Sequence, residues 1–138
     1  MIYPRSPHEK VGGLVYFGRM LDKIRLKHAE QLHPELHQNL GAGFDKRCVD
    51  FLHVSYEALA RKVIEGLDDR MALDWCFSTG QRPDAEQIYV WNEFMRKRGW
   101  KDEGTEMLER RKRESGLENR DDIQTMFDYI DVDEGRLP

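Results

Sequence analysis

The residues with the clearest chemical potential form the run Gly41-Ala42-Gly43, which leads into a helical segment bearing Lys46 and Arg47 in its first turn. Free backbone N–H groups and the positive end of a helix dipole suit a phosphate or carboxylate, and glycines allow close approach. Arg82, in a proline-containing loop, adds a third cation that can clamp a carboxylate, as can Arg5 beside Tyr3. The run is not a P-loop, because it lacks G-x-x-x-x-G-K-[ST] and any preceding strand. The competing reading is that these glycines only shape a turn, and that Tyr3, Arg5 and Arg82 pin the chain ends by ordinary hydrogen bonds.

His33 and His37 have the i, i+4 spacing of two ligands on one helical face, but Pro34 between them interrupts a continuous helix. No third ligand accompanies them in sequence, so no metal site is expected. Whether His33, His37 and Cys48 converge is left to the fold. Cys48 lies on the stripe Phe44, Cys48, Phe51, Leu52 and reads as a small buried side chain rather than a nucleophile, and Cys76 reads the same way. Asp131-Val132-Asp133-Glu134-Gly135 departs from a calcium loop in its glycine position and lacks the later bidentate Glu. Arg96, Lys97 and Arg98 with Trp91 and Trp100, followed by Arg110, Arg111 and Arg113, combine cations and aromatics as nucleic-acid binders do. Interleaved acids weaken that field, and the bland reading is a solvated hairpin of helices whose tryptophans belong to the core.

Periodicity says which elements must position these groups. Ser6-Pro7-His8-Glu9 reads as a capping box opening a short helical turn. Leu14, Phe17, Leu21, Ile24 and His28 predict a helix over about residues 13 to 31, ended by Pro34. A short helix follows the glycine loop to about His53, and Ser55 caps the next, whose core face is Tyr56, Leu59, Ala60, Val63 and Ile64. Asp68 opens a central helix ending at Gly80. Asp84 and Gln87 open another, with Ile88, Trp91, Phe94 and Met95 on its stripe and Trp100 folding back against it. A charged surface helix spans about Glu103 to Ser115, and a last helix, about Asp121 to Asp131, docks through Ile123, Met126, Phe127 and Ile130. Strands are confined to at most one short pair near the N-terminus.

The 138 residues predict one domain, 1–138, with an all-α fold: an irregular bundle of six or seven short helices around one core. Charged residues make up 35% of the chain, which calls for a heavily solvated surface, and no apolar run is long enough to span a membrane. Two cysteines without C-x-x-C spacing and the absence of a signal-like N-terminus point to the cytoplasm. The net charge of −4 argues against nucleic acid as a partner, although residues 96–113 hold eight basic and four acidic side chains, and residues 121–138 six acids and one Arg. The two regions are expected to neutralise each other in part.

Several segments together resemble a bacterial domain-of-unknown-function family of about 140 residues. They include Tyr3-Pro4-Arg5-Ser6-Pro7, Arg19-Met20-Leu21-Asp22-Lys23-Ile24-Arg25, Asn39-Leu40-Gly41 with Gly43-Phe44-Asp45, Trp75-Cys76-Phe77, Phe94-Met95-Arg96-Lys97-Arg98-Gly99-Trp100 and Arg120-Asp121-Asp122-Ile123-Gln124-Thr125. The resemblance implies a bacterial, stand-alone domain and transfers no catalytic residue. The sequence supports a non-catalytic binding or protein-interaction module without a cofactor. The first alternative is an enzyme or binder for an anionic metabolite at Gly41, Gly43, Lys46, Arg47 and Arg82. The second is a nucleic-acid binder through Arg96 to Arg113.

Overall fold

The computed structural model describes residues 1–138. It contains a two-stranded hairpin, seven α-helices and one 3₁₀ helix, an irregular all-α bundle as expected. The N-terminal segment is tied down by backbone bonds from Ile2 N–H to Gln31 O and from His33 N–H to Ile2 O. Ser6 does not open a helix. Its hydroxyl donates to Asp131 (2.9 Å), and the chain runs into β1 (Lys10–Val11) and β2 (Leu14–Val15), antiparallel with Val11 opposite Leu14. Gly12 and Gly13 both have positive φ, as a two-residue hairpin turn requires. That turn removes residues 14 and 15 from the helix that the apolar spacing predicts, so α1 is shorter, Phe17–His28.

Pro34 does not close α1. It starts a 3₁₀ helix (Pro34–Asn39), where a proline at the first position gives up no needed N–H. The glycine loop leads to α2 (Phe44–Leu52). Ser55 caps α3 (Tyr56–Ile64), Asp68 caps α4 (Asp69–Thr79), and Asp84 with Gln87 forms a capping box on α5 (Ala85–Lys97), all at the positions read from sequence. The charged helix is α6 (Thr105–Glu114). The last, α7 (Met126–Asp133), starts later than the acids of residues 121–122 suggest, because Thr125 supplies the cap by accepting from Asp128 N–H (3.1 Å).

The main core joins Phe17, Met20, Leu21 and Ile24 of α1 to Val49 and Leu52 of α2, Leu59 of α3, Leu73 of α4, Trp91 and Met95 of α5, and Phe127 of α7. Trp91 stacks on Phe51 (4.7 Å between ring centres) and donates its indole N–H to Val15 O (3.2 Å). A second small cluster, Leu108, Ile123 and Tyr129, holds α6 on α7. Trp100, expected to fold back, is about half exposed, at 48%. No helix is long and apolar enough to cross a membrane.

Candidate functional site

Beside the apolar stripe of α1, its N-cap residue Tyr16 and the helical residues Arg19 and Lys23 form a second line of side chains at i, i+3 and i+7. They are buried, and each meets a partner brought from elsewhere. Lys23 Nζ donates to both oxygens of Asp45 in the first turn of α2 (3.0 and 3.1 Å), and the Tyr16 hydroxyl donates to the same carboxylate at 2.6 Å. Gly41 N–H gives Asp45 a fourth hydrogen bond (3.0 Å). Arg19 makes a bidentate pair with Glu134 at the end of α7 (2.8 and 2.6 Å) and also donates to Arg5 O. All four charged side chains are 0–4% exposed. Burial holds the Lys23 ammonium below its usual range although Asp45 pulls the other way, and burial together with Asp45 pushes the Tyr16 phenol well above its own. Tyr16 also sits at φ 73°, ψ −30°, a backbone state that costs a non-glycine residue about 1–3 kcal/mol and collects at functional positions.

Tyr16, Arg19, Lys23 and Glu134 form the floor of a cleft of about 500 Å³; Asp45, fully buried, holds Lys23 and Tyr16 without itself lining it. One wall is the 3₁₀ helix, the glycine loop and α2, with Leu36, Gly43, Phe44 and Arg47. The other is α6 and α7, with Met107, Arg111, Met126 and Ile130. Arg47 and Arg98 both lie over the ring of Phe94, at 5.2 and 5.7 Å. Arg98 has Asp102 at 3.7 Å, and neither Arg47 nor Arg111 is in an ion pair. Met107, Arg111 and Glu114 follow one face of α6 at i, i+4 and i+7. No hydrogen bond or ion pair joins residues 104–117 to residues 1–97; those that anchor α6 and its ends reach residues 99–129. At that end the carboxyl of Asp133 is pushed up by burial and by the neighbouring charges of Glu35 and Glu134. Tyr3 donates to Glu35 (3.0 Å), and burial and that bond push its phenol up to about 12. Ser115 and Tyr129 share a hydrogen bond.

The chemistry of floor and walls differs. Asp45 accepts four hydrogen bonds and the Arg19 guanidinium is spent on Glu134 and a carbonyl, so the floor offers neither a free base nor a free cation. Cys48 is fully buried in the core, and burial pushes its thiol well above the usual range, while Cys76 is pushed up to about 12. A thiol so placed is a poor nucleophile. The walls, by contrast, present the guanidiniums of Arg47, Arg98 and Arg111, apolar side chains, and the carboxyl groups of Glu35, Glu103, Glu114 and Asp133.

Of the five residues that the glycine-loop reading grouped, only Gly43 and Arg47 line the cleft. Gly41 spends its N–H on Asp45, Lys46 turns outward to Asp50 (2.7 Å), and Arg82 lies over Phe77 (4.7 Å) on another part of the surface. α2 turns Lys46 and Arg47 in different directions, and Arg82 follows α4. The basic stretch is divided too. Arg98 and Arg111 face the cleft, Arg96 and Lys97 both hold Glu93 (3.0 and 2.7 Å), Arg110 approaches Glu114 (3.9 Å), and Arg113 is exposed. His33 accepts from Glu35 N–H and stacks on Tyr3, His37 hydrogen-bonds Leu32 O, and neither approaches Cys48 in the core, so these three residues do not converge. The floor residues Tyr16, Arg19, Lys23 and Glu134, and Asp45, which holds two of them, were not singled out from sequence. The available signal was the polar line at residues 16, 19 and 23 flanking an apolar stripe.

No curated protein matches this sequence. A family model described as domain of unknown function (DUF5069) matches residues 1–136, nearly the whole chain, and the chain belongs to that family.

Proposed function

We propose that this domain is a non-catalytic binder of a small ligand bearing an oxyanion, phosphate or carboxylate, held in the cleft by Arg47, Arg98 and Arg111. The observation that carries the reading is the contrast within the cleft: a floor of buried charges fully spent on one another beneath three guanidiniums free of tight carboxylate partners. Buried ion pairs are a poor way to gain stability, and their use under a cleft favours the purpose of fixing its shape. The same saturation of the floor argues against general acid–base or nucleophilic chemistry there. Two buried reduced cysteines and the absence of an apolar spanning helix are compatible with a bacterial cytoplasm, where we place the protein.

The test is isothermal titration calorimetry with pyrophosphate and citrate. Binding that is lost in Arg47→Gln and Arg98→Gln, with unchanged unfolding midpoints, is the expected result. Binding equally strong in both variants rejects the cleft.

A second reading, a protein-interaction module, is favoured by the outer face of α5, where Tyr89, Val90 and Phe94 are exposed beside a shallow apolar hollow between Phe51 and Trp91. It requires that Val90→Glu abolish an association while leaving calorimetric binding intact. Nucleic acid is disfavoured because Glu93 and Glu114 engage much of the basic stretch.

A further inference from the structure

The character of the cleft beyond its cations narrows the ligand. Leu36, Phe44, Met107, Met126 and Ile130 line it from both sides, and none of them is fully buried. Met107 is 45% exposed although it shares the inner face of α6 with Arg111, one turn away. Each of these side chains gains by meeting an apolar partner, in proportion to the area removed from water. The volume of about 500 Å³ lies within the roughly 300–1,000 Å³ of sites for drug-sized ligands and far exceeds what a bare inorganic anion fills. The methionines, flexible and polarisable, suit an irregular apolar body.

Resting on the reading of the cleft as an oxyanion site, we propose that its ligand is an acid with an apolar body: the oxyanion lies at Arg47, Arg98 and Arg111, and the body lies between Phe44 and Leu36 on one wall and Met107 on α6. Arg111 and Met107, at i and i−4 on one helix, then contact head and body together, and Met107 is the specificity-determining residue.

The test is calorimetry on the full chain with three probes that share a phosphate: 1-naphthyl phosphate, ribose 5-phosphate and inorganic phosphate. Naphthyl phosphate should bind about tenfold or more tightly than either of the others, as burial of one ring face predicts. Met107→Gln, at a half-exposed position that tolerates polarity, should remove most of that preference and leave ribose 5-phosphate unchanged. Ribose 5-phosphate binding as tightly as naphthyl phosphate overturns the apolar body while the oxyanion site stands. A preference that survives Met107→Gln overturns the placement against α6. Naphthyl phosphate binding that survives Arg47→Gln, or failure of all three probes to bind, overturns the cleft itself and the inference with it.

Discussion

Helix α1 carries charge on two faces, and the two clusters it builds differ in one physical variable. On one face Arg5 donates to Asp22 (2.9 Å) and Asp69 (2.8 Å), and Arg25 donates to Asp69 (2.8 Å), with all four side chains 22–34% exposed. On the other, Lys23 with Asp45 and Arg19 with Glu134 are shut away from water almost completely. The ion types and distances are alike. The exposed cluster fastens the N-terminal segment to α1 and α4, and although it borders a wide hollow of about 550 Å³, its guanidiniums are engaged by carboxylates. The buried cluster shapes a cleft whose binding groups lie elsewhere. Solvent decides the difference: exposed pairs are screened and individually weak, whereas a buried charge that loses its partner has no water to replace it.

The largest effect that tests this contrast is Asp45→Ala, which leaves the Lys23 ammonium and the Tyr16 hydroxyl buried without their acceptor. Such losses cost about 3–5 kcal/mol, to be read from urea unfolding. Lys23→Met combined with Asp45→Leu removes both charges and should recover most of that loss. A double variant as unstable as Asp45→Ala would instead assign the cost to the hydrogen bonds that Asp45 takes from the Tyr16 hydroxyl and from Gly41 in the loop.

Asp69→Asn should cost about 1 kcal/mol or less at neutral pH, the range of exposed pairs. Moving from 50 mM to 1 M salt should shrink this effect and leave that of Asp45→Ala nearly unchanged, because only the exposed cluster is screened. The pH dependence has a definite sign. Partial burial raises the Asp69 carboxyl, but hydrogen bonds from Arg5 and Arg25 outweigh it and hold the group below its usual value of 3.8. The unfolded chain therefore binds the proton more tightly, so this contribution is present above the usual carboxylate range and is lost as pH falls through the folded value. Asp69→Asn should flatten that acid limb in denaturation measured from pH 6 to pH 2.

The fold was legible wherever one side chain settles a boundary: Ser55, Asp68 and Asp84 cap their helices, and the stripe Leu59, Val63 places α3. It was less so at both ends, where Gly12-Gly13 trades a helical start for a hairpin and Thr125 overrides the acids before it. The cleft was legible only in its wall residues Gly43, Arg47, Arg98 and Arg111. Its floor was not, because Lys23 with Asp45 and Arg19 with Glu134 join positions 22 and 115 residues apart. An Arg and a Lys on a short amphipathic helix read as solvated, and nothing local to α1 says that α2 and α7 will cover them.

The smallest expected effect on stability belongs to Arg47→Gln, and it is informative for that reason. Arg47 is exposed, forms no ion pair and loses only its approach to the Phe94 ring, a contact worth about 0.5–1 kcal/mol at most. Arg98 stays over the same ring, and the floor beneath is untouched. An unfolding midpoint close to that of the parent, together with loss of oxyanion binding, would separate walls from floor: one set of charges binds and the other positions. If Arg47→Gln instead destabilised the protein as Asp45→Ala does, wall and floor would be a single structural network, and the difference between the two faces of α1 would lie in burial alone rather than in the binding it makes room for.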